Sequence, residues 1–189
     1  LIAQQLEKLK VDVIEAGFAA SSPGDWEGVN LIAKNIKNST IASLARCHPD
    51  DIEQAWEAIK IAKDSRIHVF TSTSEIHMEH MLRKTKEDIL KDTRESVKYA
   101  KKLCQDVEFS AQDATRTDKE FLIEVLKTAV EEGATTINVP DTVGYATPKD
   151  YLDLLQSVYE DVKGGNEDVI ISTHCHNDLG LAVANSLTA

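Results

Sequence analysis

The sequence predicts an α/β protein whose fold is a (β/α)8 TIM barrel, here partial, with about six of the eight βα units. Apolar, β-branched runs alternate with longer amphipathic segments, at the spacing of consecutive βα units with parallel strands. Polar residues also gather where each strand run ends, which is the face on which such barrels build their sites. A doubly wound sheet would fit six units too. Its dinucleotide-binding form needs Gly-x-Gly-x-x-Gly after the first strand, however, and Gly17 and Gly24 do not have that spacing.

The predicted elements follow one another without a linker that would separate two domains. Strands are predicted over 11–18, 40–46, 67–74, 107–114, 135–140 and 169–176, and helices over 26–37, 50–63, 86–103, 118–133 and 148–162. Asp118 is the predicted N-cap of the fourth helix, Gly133 its stop signal, and Pro148 the start of the fifth. Helical patterns at both termini lead us to expect one catalytic barrel domain over 1–189, truncated at both ends. Six strands cannot close a barrel, so open edges are expected.

The composition argues against several classes of function. The formal net charge is −11, from 21 basic and 32 acidic side chains, so no nucleic-acid partner is expected. No apolar run approaches membrane-spanning length, so no membrane association is expected either. Three widely spaced cysteines, Cys47, Cys104 and Cys175, favour a reducing, cytoplasmic location over a disulfide framework.

The stretch ISTHCHNDLG, residues 171–180, contains two histidines at positions i and i+2 of a strand. His174 and His176 should therefore aim both imidazoles into one space, while Cys175 faces the helix layer. Neutral imidazole is a common ligand of divalent metals, but the two rings could equally be hydrogen-bonding groups of a polar rim. Asp178 could orient one histidine, although its spacing fits better with capping the following helix.

A second polar strand end is VEFSAQDATR, residues 107–116. Its alternation puts Glu108, Ser110 and Gln112 on one face. A carboxylate inside a barrel needs a positive or donating partner, so Glu108 is either a site residue or half of a buried ion pair. Arg116 could clamp a substrate carboxylate, or form a salt bridge with a neighbouring aspartate.

A third candidate region joins a histidine to a hydroxyl-rich strand end. His68, Phe70 and Ser72 share one side of the strand, which suits either a small polar ligand or simple strand termination. His77 and His80 lack the His-Glu-x-x-His pattern of zinc proteases, so a solvated helix face is the favoured interpretation for them.

Taken together, these residues resemble a known family. THCHNDLGLAVANSL resembles the His-x-His-[Asp/Asn]-Asp-x-Gly signature of the isopropylmalate/homocitrate synthase family, metal-dependent TIM barrels related to the HMG-CoA lyases. The resemblance continues in order through EAGFAASSPGDWE, LARC, RIHVFTSTSEIHMEHML, VEFSAQDATRTD and TINVPDTVGYATP, and covers nearly the whole chain. His-Cys-His resembles the isopropylmalate branch, because the homocitrate and citramalate branches usually carry His-Gly-His.

The resemblance implies a divalent metal, Mn²⁺, Mg²⁺ or Zn²⁺, bound by His174 and His176. In the family, an Asp from a Leu-Arg-Asp-Gly motif and an Asn after the last strand complete the site. Neither motif occurs in these 189 residues. We therefore expect the first and eighth strands of the barrel to be missing from this sequence.

The resemblance also assigns roles to residues inside the barrel. It implies that Glu108 and His68 are catalytic. Leu44, His68, Ser110 and Thr142 are then substrate-binding residues, with Leu44 shaping a pocket for a branched apolar group.

The implied activity is that of an acyltransferase of leucine biosynthesis. Acetyl-CoA would condense with 2-oxoisovalerate in a Claisen-type reaction, and thioester hydrolysis would release 2-isopropylmalate; the full-length enzyme would be a homodimer. A homocitrate or citramalate synthase would run the same chemistry on another 2-oxo acid. A third interpretation is an inactive barrel fragment that serves only as a structural or interaction module.

Overall fold

The computed structural model describes residues 1–189 as an alternation of strands and helices. The strands are β1 (Val13–Gly17), β2 (Thr40–Arg46), β3 (Ser65–Ser72), β4 (Asp106–Gln112), β5 (Thr136–Asp141) and β6 (Ile170–Cys175). The helices are α1 (Ile2–Lys8), α2 (Pro23–Asn35), α3 (Pro49–Ile59), α4 (Glu75–His77), α5 (Lys86–Leu103), α6 (Lys119–Glu131), α7 (Pro148–Val158) and α8 (Ala182–Thr188). None of these helices combines the length and apolar character needed to cross a membrane.

The six strands form one parallel sheet in the order β1-β2-β3-β4-β5-β6. Each strand pairs with the next one along the chain, which is the arrangement of a (β/α) barrel, and the predicted fold is confirmed. A doubly wound sheet would reverse its strand order at a switch point, and no reversal occurs. β1 and β6 each have only one neighbour, so the sheet has the two open edges that six strands predict.

The sheet is curled rather than flat. Glu15 on β1 contacts His68 on β3, although β2 lies between these two strands. In a flat sheet, strands two apart are separated by about 9.6 Å, so this contact requires side chains that converge on a concave face. That concave face corresponds to the interior of a barrel.

Alternation along each strand separates an apolar layer from a polar one. Residues facing the helices are apolar and fully buried, for example Val69, Phe109 and Ile137, and they belong to a core cluster of 37 buried residues. Their sequence neighbours point into the concave interior and are mostly polar. The sheet–helix layer therefore holds the fold together, and the interior is left for polar side chains.

Helix starts follow the predicted signals, but α3 ends at Ile59, before the predicted end at 63, and two further regions differ. Asp118 and Thr147 cap α6 and α7 with hydrogen bonds from backbone N–H groups, as predicted. The helix predicted over 148–162 instead ends at Val158, and a π-helical turn over 159–163 leads into Gly164 in the left-handed conformation.

The region of His77 and His80 is the second of these two regions. α4 is a single turn, followed by a π-helical turn over 78–82 that ends at Arg83 in the left-handed conformation. His80 is solvent-exposed, as predicted. His77 is not on a solvated face, because its Nδ1 atom is buried and lies 3.6 Å from the carboxylate of Asp113.

Candidate functional site

The two histidines of β6 converge as their spacing predicts. The Nε2 atoms of His174 and His176 are 3.1 Å apart, and the ring centroids are 5.0 Å apart. Cys175 points the other way and packs against the buried core. Partial burial, together with the neighbouring His176, lowers the pKa of His174, so its ring is predominantly neutral at pH 7.

This pair fits part of a metal site. Two imidazole nitrogens that bind one ion at about 2.1 Å are separated by about 3 Å, and neutral rings have the lone pairs that coordination requires. No group of three or more His, Cys, Asp or Glu side chains in the chain is arranged to hold an ion. His174 and His176 thus supply two donors of a set that needs further ligands.

A hydrogen-bonded chain crosses the concave interior below these histidines. The Nδ1 atom of His68 contacts the Glu15 carboxylate, and its Nε2 atom lies 2.6 Å from Ser110 Oγ. Asn138 Nδ2 in turn donates to Ser110 Oγ at 2.7 Å. Burial raises the pKa of Glu15, but the hydrogen bond and charge of His68 outweigh it and lower that pKa below its usual value.

The direction of this chain follows from the hydrogen count. An ionised Glu15 can only accept, so the Nδ1 atom of His68 carries a proton. Since Asn138 donates to Ser110, the single hydroxyl proton of Ser110 is free to bond to His68 Nε2. In a neutral ring that donates from Nδ1, the lone pair is on Nε2, and this atom faces Ser110.

Glu108 belongs to an ion-pair cluster on the same concave face. Arg66 donates to Glu108 Oε2 at 3.0 Å and to Asp106 Oδ2 at 2.9 Å. The other oxygen of Glu108, Oε1, lies 3.8 Å from His68 Nε2. Of the two interpretations of Glu108, the structure shows the ion pair, and it places that pair beside the predicted site.

The remaining substrate-binding candidates occupy different levels of the interior. Leu44 is half-buried and stands in register with His68, which is in register with Glu108, so these three form one row across β2, β3 and β4. Thr142 follows the end of β5, and its hydroxyl accepts a hydrogen bond from the backbone N–H of Asp113 at 2.9 Å. Thr142 is therefore a rim residue that makes no hydrogen bond to the His68 chain.

Two loop residues have structural partners. Arg116 pairs with Asp113 through Nε and Nη2, at 2.8 and 2.6 Å, so the salt-bridge interpretation of this arginine is the one observed. The N-cap residue of α8 is Leu181, and the Oδ1 atom of Asn177, rather than Asp178, accepts a hydrogen bond from Ala182 N–H at 3.2 Å. Asp178 instead lies against Gly144, where a Cβ atom would come within 2.5 Å of its carboxylate oxygen.

The sequence indicates Glu15 only as one of the polar strand ends on the active-site face, and it does not indicate Arg66 and Asn138, which the structure brings into the same interior. Glu15 had a detectable signal, since an acidic residue within the strand VIEAG is costly unless it is paired. Asn138 is 3% exposed within the otherwise apolar stretch INVP, which is a similar signal.

Comparison with known proteins shows the family of the chain. The family model described as HMGL-like matches residues 1–189, the entire chain. The chain belongs to the HMGL-like family. Within this family, it is 55% identical over 188 residues to a 2-isopropylmalate synthase from Clostridium kluyveri. It is 52% identical to one from Dictyoglomus turgidum and 55% identical to one from Pyrococcus furiosus, again over 188 residues each.

The HMGL-like chain covers only part of these relatives. All of it aligns in each comparison, but it spans 36% of the Clostridium protein, 37% of the Dictyoglomus protein and 38% of the Pyrococcus protein.

Solved structures show the same fold. An HMG-CoA lyase from Bacillus subtilis superposes with a TM-score of 0.77 at 22% identity, covering 97% of this chain and 62% of the lyase. An HMG-CoA lyase from Acinetobacter baumannii, in complex with coenzyme A and 3-methylmalate, gives 0.76 at 19% identity, covering 97% of this chain and 61% of that one. The six-stranded sheet is therefore a large part of a TIM barrel of this kind.

Proposed function

We propose that these residues form part of the catalytic barrel of a metal-dependent acyltransferase that condenses acetyl-CoA with 2-oxoisovalerate and releases 2-isopropylmalate. One observation carries the proposal: the Nε2 atoms of His174 and His176 converge to 3.1 Å beside a hydrogen-bonded interior. The names of the relatives support 2-isopropylmalate as the product, and the half-buried Leu44 in the row of His68 suits the branched apolar tail of 2-oxoisovalerate. Such an enzyme performs the first committed step of leucine biosynthesis.

His174 and His176 would hold the divalent metal, Mn²⁺, Mg²⁺ or Zn²⁺, together with ligands from outside this chain. When bound, the metal polarises the carbonyl of the oxo acid and neutralises part of the substrate's negative charge. The chain itself is strongly acidic, with a net charge of −11, so an anionic substrate needs such local compensation.

His68 is the better placed of the two proposed catalytic residues to exchange a proton. Its Nε2 lone pair bonds only to the hydroxyl of Ser110, and Glu15 stabilises the positive charge that protonation would create. Glu108 already has one oxygen bound by Arg66, which leaves only its Oε1 atom free to accept a proton. We assign Glu108 an electrostatic role in the same site.

Ser110 and Thr142 would position the substrate by hydrogen bonds. Thr142 accepts from the Asp113 backbone, which leaves its own hydroxyl proton free to donate to a carboxylate at the rim. A cavity of about 760 Å³ opens beside the ends of β2 and β3, lined in part by Arg46, Ser72 and Gln112. We propose that acetyl-CoA approaches the interior from this side.

The test uses the full-length protein that contains these 189 residues. Release of free coenzyme A is measured with acetyl-CoA and either 2-oxoisovalerate, pyruvate or 2-oxoglutarate, with Mn²⁺, Mg²⁺ or Zn²⁺ present. Turnover should be fastest with 2-oxoisovalerate and should fall at least a hundredfold in His174→Ala, while Cys175→Ala, one residue away, should keep most of it. Faster turnover of pyruvate or 2-oxoglutarate, or full activity in His174→Ala, would contradict the proposal.

A further inference from the structure

Arg66 is the cation of the cluster with Asp106 and Glu108, and two carboxylates share it. Its guanidinium is 13% exposed, and it donates to Asp106 at 2.9 Å and to Glu108 at 3.0 Å. Burial alone would lower the pKa of Arg66, but the hydrogen bonds and charges of the two acids raise it above its ordinary value. The arginine is therefore charged, and the cluster has one more negative than positive group.

The excess negative charge faces the concave interior. Asp106 and Glu108 stand in register with Arg66 and His68 respectively, and their side chains point to the same side of the sheet. Glu108 is 12% exposed at its side chain, and its Oε1 atom lies 3.8 Å from His68 Nε2 within the interior. Only Glu15 adds a further carboxylate to this face near His68, and it is paired with the ring of that histidine.

The row of Leu44, His68 and Glu108 has an apolar side chain, Leu44, at one end and a member of the negative cluster, Glu108, at the other. If the proposed function holds, the tail of the oxo acid lies along the row, with Leu44 at one end. A branched hydrocarbon tail carries no charge and is not repelled by Glu108. A second carboxylate at the same place would meet an unpaired negative charge in a poorly solvated interior, which is strongly unfavourable.

We propose that Asp106 and Glu108 are specificity-determining residues that exclude dicarboxylic 2-oxo acids from the interior. Together they carry one more negative charge than Arg66 can balance, and they occupy its guanidinium. The inference rests on the proposed function. It gives a physical reason why the substrate of that function is a 2-oxo monocarboxylate with an apolar tail. Arg66 is the arginine next to His68 and Glu108 that could bind a second carboxylate, and both acids keep it occupied. Arg46, on the same face at the end of β2, is paired with Asp51.

A purely structural ion-pair cluster makes a different prediction. If the cluster only stabilises the sheet, removing one acid lowers the melting temperature and weakens both classes of oxo acid alike. If the cluster selects the substrate, the ratio of the two affinities changes. The ratio is therefore the informative measurement, and stability is recorded beside it.

The experiment uses the full-length protein with Mn²⁺ and three variants: Asp106→Asn, Glu108→Gln, and the two combined. Dissociation constants for 2-oxoisovalerate and 2-oxoglutarate are measured by calorimetry without acetyl-CoA, and turnover of both acids is measured separately. Each single variant should shift the affinity ratio at least tenfold towards 2-oxoglutarate, and the double variant further, because Arg66 is then free. In Asp106→Asn, affinity for 2-oxoisovalerate should change less than threefold.

Glu95→Gln on the exposed face of α5 is the matched control, and it should leave the ratio unchanged. An unchanged ratio in folded Glu108→Gln and Asp106→Asn overturns the inference, and so does failure of every variant to bind either acid. If Glu108→Gln does not fold, Asp106→Asn and the control decide. Wild-type protein that binds both acids but turns over neither refutes the proposed function, while the binding ratios still test the selectivity.

Discussion

The Nε2 atom of His68 lies 2.6 Å from the hydroxyl oxygen of Ser110, while Nδ1 of the same ring contacts the carboxylate of Glu15. This relationship joins β1, β3 and β4 across the concave face of the sheet. A histidine held at both nitrogens keeps one tautomer and one orientation, which a proton-transferring group requires. Glu15 on β1, rather than a residue of β6, therefore fixes the orientation of the His68 ring.

Replacing Glu15 with Gln should impair catalysis without affecting metal binding. The amide oxygen can still accept from Nδ1 of His68, but it no longer stabilises a positive charge on the ring. We expect kcat to fall roughly 10- to 100-fold, while affinity for Mn²⁺ stays within about twofold. Steady-state kinetics and calorimetry check both expectations, with the exposed Glu27→Gln as control. An unaltered kcat would show that the contact with His68 has no catalytic role.

The converging histidines predict equal importance of both rings for metal affinity. Each of His174→Ala and His176→Ala removes one nitrogen donor, so the Kd for Mn²⁺ should rise at least about tenfold in either variant. Cys175→Ala lies between them but faces the helices, and it should leave the Kd within about twofold. Calorimetric titration of the three variants measures this. Equal losses in all three would indicate general damage to β6 rather than loss of ligands.

Strand periodicity accounts for what the sequence could predict about the site. The period of two correctly places Glu108, Ser110 and Gln112 on one face, and aims His174 and His176 at one point. These are relationships within single strands. They depend only on the alternation of side chains, which residue order alone determines.

Relationships between strands required the three-dimensional structure. The contact between Glu15 and His68 depends on the curvature of the sheet across β2. The ion pair between Arg66 and Glu108 depends on the register of β3 against β4. Neither curl nor register can be read from one strand. For the same reason, the sequence predicts a solvated face for His77, whereas in the structure the ring lies beside the buried carboxylate of Asp113.

Gly144 should be indispensable for the position of His176. It has a φ of +62°, and a Cβ atom there would lie 2.8 Å from the backbone nitrogen of Asp178 and 3.0 Å from the carbonyl carbon of His176. Gly144→Ala therefore adds backbone strain and displaces the segment that carries the second histidine. We expect the Kd for Mn²⁺ to rise at least about tenfold, together with a lower melting temperature.

Gly28→Ala provides the control for that change. Gly28 lies within α2, and an added Cβ would meet nothing within 4 Å, so alanine should preserve the Kd and raise helix stability by up to about 1 kcal/mol. If Gly144→Ala binds Mn²⁺ as tightly as Gly28→Ala does, close packing at Gly144 does not control the position of His176.

Asp113 should make the stability of the rim depend on pH. Its side chain is fully buried, accepts from Ser74 Oγ at 2.5 Å, and pairs with Arg116 at 2.6 Å. Burial raises the pKa of Asp113, but the hydrogen bonds from Arg116 and Ser74 outweigh it, so the folded-state pKa is lower than normal. A carboxyl group whose pKa is depressed by folding stabilises the folded state fully at pH values above its pKa in the unfolded chain, about 3.9. This stabilisation is lost as the pH falls through the pKa of the group in the folded state.

Asp113→Asn removes this charge with little change in shape, and asparagine tolerates the left-handed conformation at φ +69°. The free energy of unfolding should drop by roughly 1–2 kcal/mol at pH 7, a moderate loss because Arg116 is partly exposed. The difference from wild type should shrink below about pH 4, as wild-type Asp113 becomes protonated. Urea unfolding at pH 7, 5, 4 and 3 measures it, with the exposed Asp161→Asn as control. A difference that stayed constant down to pH 3 would show that the charge of Asp113 does not stabilise the rim.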